Sequence, residues 1–274
     1  MGCCSSKTSK YTDADLPEHD GFTFHVLRSQ DEAEAVELAT RSFLGSDGGA
    51  AEPMVSWVLG SDSKLPAAAD REAFARAMQR WCFVQAQHFG GVVIGARKAG
   101  KLAGTIVVYP PGTWVEGGDQ LCMLLNMTMC RGMSLPPMDA KKYGPFVSKR
   151  MNKVEVALAS KEINAIRPPK LQFWKVEVLA VDPAFQGQGV SRALMSALFR
   201  LADKVGSAPC CVECGTEKLA PLYKKLGFTD GESSKKLVVN GDAGPGFEIS
   251  ALLRKSGTPA QARAAKASQV APQS

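Results

Sequence analysis

The spacing of apolar residues in the first half of the chain predicts a strand, several helices and a hairpin. Apolar and polar residues alternate over 22–26, as they do in a half-buried strand. Ser29 and Glu32 have the spacing of a capping box, which predicts a helix that opens there and runs through about Phe43. Residues 71–88 form another helical stretch, and 139–165 is largely helical in pattern. Within 92–109, two apolar runs flank Lys-Ala-Gly-Lys, which predicts a β-hairpin.

The second half predicts alternating strands and helices more clearly. Residues 173–181 form a near-continuous apolar run that Asp182 and Pro183 end, which is typical of a buried strand. After Gly189, apolar residues follow a helical stripe. The elements predicted beyond it are a strand at 210–214, a helix at 217–226 closed by Gly227, and strands at 236–239 and 247–252. This order predicts an α/β (α+β) domain with a mixed sheet.

Both ends of the chain differ in composition from the middle. Residues 1–19 are small and polar, and residues 255–274 are rich in Ala, Ser, Gln and Pro. Neither end has enough large apolar groups to offset the entropy of ordering it. We therefore expect a single domain over 20–254 between two flexible arms.

Charge and composition exclude some classes of protein. The formal net charge is +6, and part of it lies in the C-terminal tail. A charge of this size is too small to predict a nucleic-acid partner. The chain has no run of some eighteen apolar residues and no apolar segment at its start, so neither a membrane span nor a secretory signal is predicted.

The eight cysteines leave two interpretations open. Cys211 and Cys214 have the C-x-x-C spacing of zinc and redox sites, but on a strand such residues point to opposite faces. No second pair and no histidine lies near them in the sequence. The other interpretation is that they are buried small hydrophobic residues, and we predict no metal.

One segment combines a strand end, a glycine turn and a helix start. Residues 179–194 read L-A-V-D-P-A-F-Q-G-Q-G-V-S-R-A-L. Glycines allow close approach of the backbone to a ligand, and the unpaired N–H groups of a helix N-terminus attract anions. The segment has neither G-x-G-x-x-G nor G-K-[ST]. It is either a phosphate-binding loop of another kind or a strand–helix turn without a ligand.

Two motifs in this region resemble those of one enzyme superfamily. Gln186-x-x-Gly189-x-Ser191 resembles the [QR]-x-x-G-x-[GA] acetyl-CoA signature of the GNAT superfamily of N-acetyltransferases, with Ser191 in place of the usual Gly or Ala. The segment P-L-Y-K-K-L-G-F at 221–228 resembles its second signature. The resemblance implies a mostly antiparallel central sheet flanked by helices, with acetyl-CoA as co-substrate.

The resemblance also assigns roles to residues. The backbones of Leu179 and Val181 are expected to pair with the pantetheine arm, and Thr216 to lie near it. Tyr223 corresponds to the tyrosine that protonates the departing thiolate; the alternative, which we favour less, is a packed aromatic residue. The pyrophosphate is expected to lie on the N–H groups of Gln186, Gly187, Gln188, Gly189, Val190, Ser191 and Arg192.

Glu177 is the candidate base that deprotonates the acceptor amine, because it is a carboxylate within an apolar strand. It could equally be a solvated residue that pairs with Lys175 on the polar face of the strand. The N–H of Val178 or of a neighbour is expected to meet the oxyanion.

The N-terminus carries a lipidation pattern. Met1-Gly2-Cys3-Cys4-Ser5-Ser6 fits the N-myristoylation motif M-G-x-x-x-[ST], and Cys3 and Cys4 lie beside it as palmitoylation sites. Two acyl chains would anchor the protein to the cytoplasmic face of a membrane. The alternative is an unmodified polar tail.

Two functions follow from these features. The first is transfer of an acetyl group from acetyl-CoA to a primary amine, by direct attack in a ternary complex. The second is a non-catalytic CoA-binding sensor tethered to a membrane. The sequence does not indicate which acceptor is used, a small-molecule amine or a peptide amine.

Overall fold

The computed structural model describes residues 10–16, 21–44, 53–59, 68–113, 140–167, 172–204, 208–237 and 247–255. The strands are β1 (Thr23–Val26), β2 (Val92–Lys98), β3 (Lys101–Tyr109), β4 (Trp174–Val181), β5 (Cys210–Gly215), β6 (Gly231–Leu237) and β7 (Phe247–Arg254). The helices are α1 (Glu32–Leu44), α2 (Pro53–Leu59), α3 (Ala68–His88), α4 (Ala140–Leu158), α5 (Lys161–Asn164), α6 (Val190–Lys204) and α7 (Thr216–Lys225).

The seven strands form one mixed sheet in the order β1-β2-β3-β4-β5-β7-β6. Neighbouring strands are antiparallel except β4 and β5, which are parallel and are joined through α6. The predicted hairpin is β2–β3, and its two turn residues, Ala99 and Gly100, both have positive φ, as a two-residue turn of this hand requires. The predicted mostly antiparallel sheet is confirmed.

Helices cover both faces of the sheet. On one face, the apolar stripe of α6 (Val190, Leu194, Leu198 and Leu201) is buried together with Tyr223 of α7. On the other face, α1 and α3 bury apolar residues against β2, β3 and β4. A third cluster joins α2, α3, α4 and β7 at the end of the sheet nearer to β7. Burial of these faces is the main stabilising contribution.

Part of the predicted N-terminal arm belongs to the body. Tyr11 and Leu16 are buried in the cluster under α6, and the ring centroid of Tyr11 lies 5.7 Å from that of Trp174. The side chain of Asp13 accepts hydrogen bonds from the backbone N–H of Val26 (2.7 Å) and pairs with His25. The prediction that 1–19 is flexible throughout is therefore wrong for 10–16, because two large apolar side chains suffice to hold so short a segment.

The sixth strand begins earlier than its sequence predicts. β6 spans Gly231–Leu237, whereas the sequence predicts a strand at 236–239. Its residues are polar because β6 is the edge strand and its exposed face contacts solvent. The helix α2 was not predicted at all, and residues 238–239 lie outside the described part.

Candidate active site

A β-bulge in β4 lies at Glu177. Val178 pairs with Val107 of β3, but the next pair is Val176 with Val108, so Glu177 is the extra residue. A bulge changes the alternation of side chains along a strand. Trp174 and Val176 accordingly belong to the cluster under α6, whereas Val178 and Ala180 belong to the cluster under α1 and α3.

Immediately beyond this point β4 separates from β5. Their parallel pairing covers three residues and ends at Val176 opposite Val212, although both strands continue. Among the described residues, the open edge of β4 from residue 177 onward therefore has no strand partner on that side. A gap of this kind exposes backbone N–H and C=O groups to a ligand.

A cleft of about 580 Å³ occupies the gap and continues on both faces of the sheet. On the α6 face its lining includes Val190, Leu219 and Tyr223, and on the opposite side it includes Phe43, Met54 and Leu158. Glu177 and Glu213 lie between the two ends, at the point of strand separation. Ligands that enter from opposite faces of the sheet would meet at these residues.

The loop between β4 and α6 presents unpaired backbone donors. Gly187 and Gly189 have φ of +76° and +85°, which glycine adopts without strain, and no atom lies within 4 Å of a Cβ placed at either residue. The first intrahelical bond of α6 joins the N–H of Ala193 to the carbonyl of Gly189 (3.0 Å). The N–H groups from Gly189 to Arg192 therefore have no acceptor within the helix, an arrangement that attracts anions.

The structure brings most of the predicted loop residues together. Gln186, Gly187, Gly189, Val190 and Ser191 line the cleft. Thr216 begins α7 beside the lining residue Gly215.

Two loop residues lie outside the described lining, Gln188 and Arg192. The side-chain amide of Gln188 is held by residues outside the cleft lining, because its Nε2 donates to the carbonyl of Ala184 (3.1 Å) and its Oε1 accepts from Nζ of Lys98 (3.0 Å). The side chain of Arg192 is exposed to solvent.

The open edge of β4 presents the N–H groups of Leu179 and Val181. Asp182 donates its N–H to the carbonyl of Ala103 on β3. Because every second residue of a strand directs its N–H to the same side, the N–H of Val178 also points toward β3 and that of Leu179 points toward the gap. Of the N–H groups expected to meet an oxyanion, that of Val178 therefore points toward β3, and that of its neighbour Leu179 faces the cleft.

Ser42 is a lining residue that the sequence did not reveal. Its Oγ accepts the N–H of Val181 (3.1 Å), and it lies near the C-terminal end of α1. The neighbouring Arg41 pairs with Asp182 at 2.6 Å, so the end of α1 is held against the end of β4. The contact joins residues about 140 positions apart, which no local pattern indicates.

Tyr223 is both a packed aromatic residue and a lining residue. Its ring is 6% exposed and meets Phe228 edge to face, with centroids 5.7 Å apart. The helix ends two residues later in a Schellman motif, in which Phe228 donates to the carbonyl of Tyr223 and Gly227 (φ +102°) donates to that of Lys224. The closed helix end fixes the position of the ring beside the cleft.

Glu177 is part of a partly buried ionic network. The Nζ of Lys175 lies 3.0 Å from Glu177 and 3.4 Å from Glu213, and Arg167 pairs with the other oxygen of Glu213. The predicted pairing with Lys175 is confirmed. The face is only partly solvated, because the side chain of Glu177 is 23% exposed and that of Lys175 is 7% exposed.

The described cysteines on β5 are buried thiols. Cys210 and Cys214 lie under α6, whereas Cys211 belongs to a cluster on the other face, as the strand geometry predicts. Burial raises the pKa of Cys211 to about 11 and that of Cys210 to about 12, so neither is a ready nucleophile. Within the described part of the chain no group of three or more His, Cys, Asp or Glu residues is placed to hold a metal ion.

Comparison with known proteins identifies the class. Residues 153–230 match the family model of the acetyltransferase (GNAT) domain. Arylalkylamine N-acetyltransferase 2 from Aedes aegypti matches with a TM-score of 0.53 at 14% identity, over 85% of this chain and 98% of that one. Mosquito arylalkylamine N-acetyltransferase like 5b matches with a TM-score of 0.50 at 16% identity, over 85% and 99%. At such identities the likeness is one of fold, and curated proteins gave no significant sequence match.

Residues 153–230, which contain both signature segments, therefore match an acetyltransferase (GNAT) domain, and the chain shares the fold of the two mosquito enzymes. It is an acetyl-CoA-dependent acyltransferase, and the resemblance seen in the sequence is confirmed. None of the helices in the described ranges is both long and apolar enough to cross a bilayer. Gly2, Cys3 and Cys4 lie outside the described residues.

Proposed function

We propose that this protein transfers an acetyl group from acetyl-CoA to a primary amine by direct attack within a ternary complex. The observation that carries the proposal is the cleft through the gap between β4 and β5, which is open on both faces of the sheet. Two substrates can then be bound at once, and no residue has to carry the acetyl group between them.

The donor fits the α6 side of the cleft. The N–H groups from Gly189 to Arg192 would hold the pyrophosphate at the positive end of the α6 dipole. The N–H of Leu179 on the open edge of β4 would bind the pantetheine arm or the thioester carbonyl. The N–H of Val181 would become available only if Ser42 turns away.

Three groups of this chain would carry the chemistry. Glu177 accepts a proton from the acceptor ammonium or from the attacking nitrogen, which leaves the nitrogen lone pair free to form the new C–N bond. The N–H of Leu179 donates to the carbonyl oxygen as it gains negative charge. Tyr223 donates its phenolic proton to the sulfur as the C–S bond breaks, so the products are an amide and free CoA thiol.

The acceptor would enter from the side of α1, α2 and α4. Apart from Ser42, the described lining there is apolar and includes Phe43, Met54, Leu158 and Ile249. An acceptor screen should therefore begin with primary amines that carry apolar groups, such as the arylalkylamines for which two of the fold relatives are named. Diamines and peptides with free N-termini complete the panel.

The test is thiol release from acetyl-CoA over this amine panel. We expect amine-dependent thiol, and we expect Tyr223→Phe and Glu177→Gln each to lower kcat about 100-fold or more, as loss of a general acid or base does. Lys101→Met, at an exposed strand end on β3, is the control. If CoA binds tightly and no amine yields thiol, the protein is a CoA-binding sensor instead.

We also propose that the N-terminal arm anchors the protein to a membrane through myristate on Gly2 and palmitate on Cys3 or Cys4. The support is the sequence pattern alone. Mass spectrometry of the protein made in eukaryotic cells tests it, with Gly2→Ala as the matched control. An unacylated Gly2 in the wild-type protein would refute it.

A further inference from the structure

The backbone ladder between β4 and β5 ends where an ionic cluster begins. The last pair is Val176 with Val212, and the next residue of each strand is Glu177 and Glu213. The ammonium of Lys175 lies within 3.0 Å of the first carboxylate and 3.4 Å of the second. A side chain from β4 thus joins the two strands at the first position where their backbones do not.

This arrangement is costly unless every charge is paired. Lys175 and Glu213 are both more than nine-tenths buried, and Arg167 supplies the second cation by pairing with Glu213. Apolar residues at such positions stabilise a fold at least as well as a buried ionic network does. The network is therefore better explained by what it does to Glu177 than by stability.

We propose that Lys175 is a positioning residue, which orients Glu177 as the base and fixes the width of the gap in which donor and acceptor meet. The proposal depends on the base role of Glu177 given under the proposed function. Lys175 need not touch either substrate, because its contacts are with the two carboxylates. Because its charge attracts both, it also offsets the repulsion between the two carboxylates across the gap.

Other groups act on the Glu177 carboxylate from the elements around it. Desolvation by its surroundings and then the charge of Glu177 raise the pKa of Glu155 on α4, although this residue is still exposed to solvent. Within the described part of the chain, five titratable groups interact with Glu177 or with its ion pair, namely Lys175 on the same strand, Glu213, Tyr109 on β3, Cys82 on α3 and Glu155. Among these five, Lys175 alone is cationic, so its removal leaves carboxylates without their shared counter-charge.

The decisive experiment measures kcat/KM against pH for Lys175→Met. We expect kcat at pH 7 to fall about tenfold or more while KM for acetyl-CoA changes less than about threefold, because the donor loop is untouched. The acid limb of the profile should move to higher pH, since carboxylates that have lost a shared cation hold protons more tightly. Lys175→Arg keeps the charge and should restore most of the activity.

Glu213→Gln provides a second test if Lys175→Met does not fold. It leaves the Lys175 ammonium to Glu177 alone, so the acid limb should move to lower pH. Lys101→Met removes an exposed lysine from the neighbouring strand and should leave the profile unchanged. A limb that stays in place in both network variants, whatever happens to kcat, would overturn the proposal.

A readout without turnover separates this inference from the proposed function. In protein labelled with ¹³C at glutamate carboxyls, the Glu177 signal is identified by its loss in Glu177→Gln. Its titration should move to higher pH in Lys175→Met. If Lys175→Met shows that response but the wild-type protein releases no thiol with any amine, the catalytic proposal fails and the positioning of Glu177 by Lys175 stands.

Discussion

Gly104 on β3 allows the N-terminus of α6 to lie directly against the sheet. A Cβ at this residue would lie 2.7 Å from Cγ1 of Val190, 2.8 Å from the carbonyl oxygen of Ala180 and 3.1 Å from Cδ1 of Leu194. Two of these neighbours begin the helix that presents the anion site, and the third belongs to the backbone of β4. Gly104→Ala must therefore push the start of α6 away from β4.

The expected size of the effect comes from overpacking. Adding a methyl group where neighbours cannot move without backbone shifts costs about 1–3 kcal/mol of unfolding free energy. For a domain of this size that lowers Tm by about 2–12 °C. A displaced helix start weakens its hydrogen bonds to the pyrophosphate, and a loss of about 1 kcal/mol there raises KM for acetyl-CoA about fivefold.

Gly95→Ala is a matched control on the paired strand. Its register partner, Thr105, is the neighbour of Gly104, and a Cβ at Gly95 would be just as crowded. The crowding atoms are Cδ2 of Leu27 (2.8 Å) and Cδ1 of Leu102 (2.9 Å), and both residues belong to the cluster under α1 and α3. We expect a comparable loss of Tm with no change in KM for acetyl-CoA.

Thermal melts and steady-state kinetics on both variants decide the matter. Equal increases in KM for acetyl-CoA would mean that general destabilisation, and not the position of α6, controls donor binding. An unchanged KM in Gly104→Ala together with a lowered Tm would refute the role given to the α6 N-terminus.

Three further predictions concern the donor loop and the N-terminal segment. Gly187→Ala places a side chain at φ +76°, and should lower the unfolding free energy by about 1 kcal/mol and raise KM for acetyl-CoA in steady-state assays. Gly112→Ala, at the same φ but outside the cleft lining, is the control; it should cost a similar unfolding free energy and leave KM unchanged. Tyr11→Ala removes the buried ring that packs against Trp174, and should lower the unfolding free energy by about 3–5 kcal/mol in urea titrations followed by tryptophan fluorescence. A loss below about 1 kcal/mol would mean that residues 10–16 are not held to the body. Burial opposes ionisation of Asp13, but hydrogen bonds from His25 and the Val26 N–H lower its pKa overall. Its contribution to stability is therefore complete above the unfolded pKa of 3.8 and is lost as pH falls through the lower pKa of the folded state. Asp13→Asn should flatten that part of the plot of unfolding free energy against pH, and an unchanged slope would contradict the assignment.

The donor half of the site was predictable because it is local in sequence. The β4 strand, the turn with Gly187 and Gly189, and the α6 stripe all lie within about 30 consecutive residues, and each follows from spacing or from glycine geometry. The Schellman end after Tyr223 was equally local, because Gly227 indicates it.

The acceptor half was not predictable for the opposite reason. The bulge at Glu177 depends on how β3 pairs with β4, and no residue in β4 indicates it. The burial of Lys175 depends on Glu213 and Arg167, which reach it from other elements. Ser42 contacts Val181 across most of the chain length. Contacts of this kind are set by tertiary packing, which composition and periodicity do not encode.

The gap between β4 and β5 has a consequence for inhibitor chemistry. A molecule that mimics both reactants at once must thread between two strands, with one half above the sheet and the other half below it. Its central linker should therefore be thin and unbranched, while bulk is tolerated at either extremity. Compounds branched at the position of the reacting carbonyl should lose affinity first.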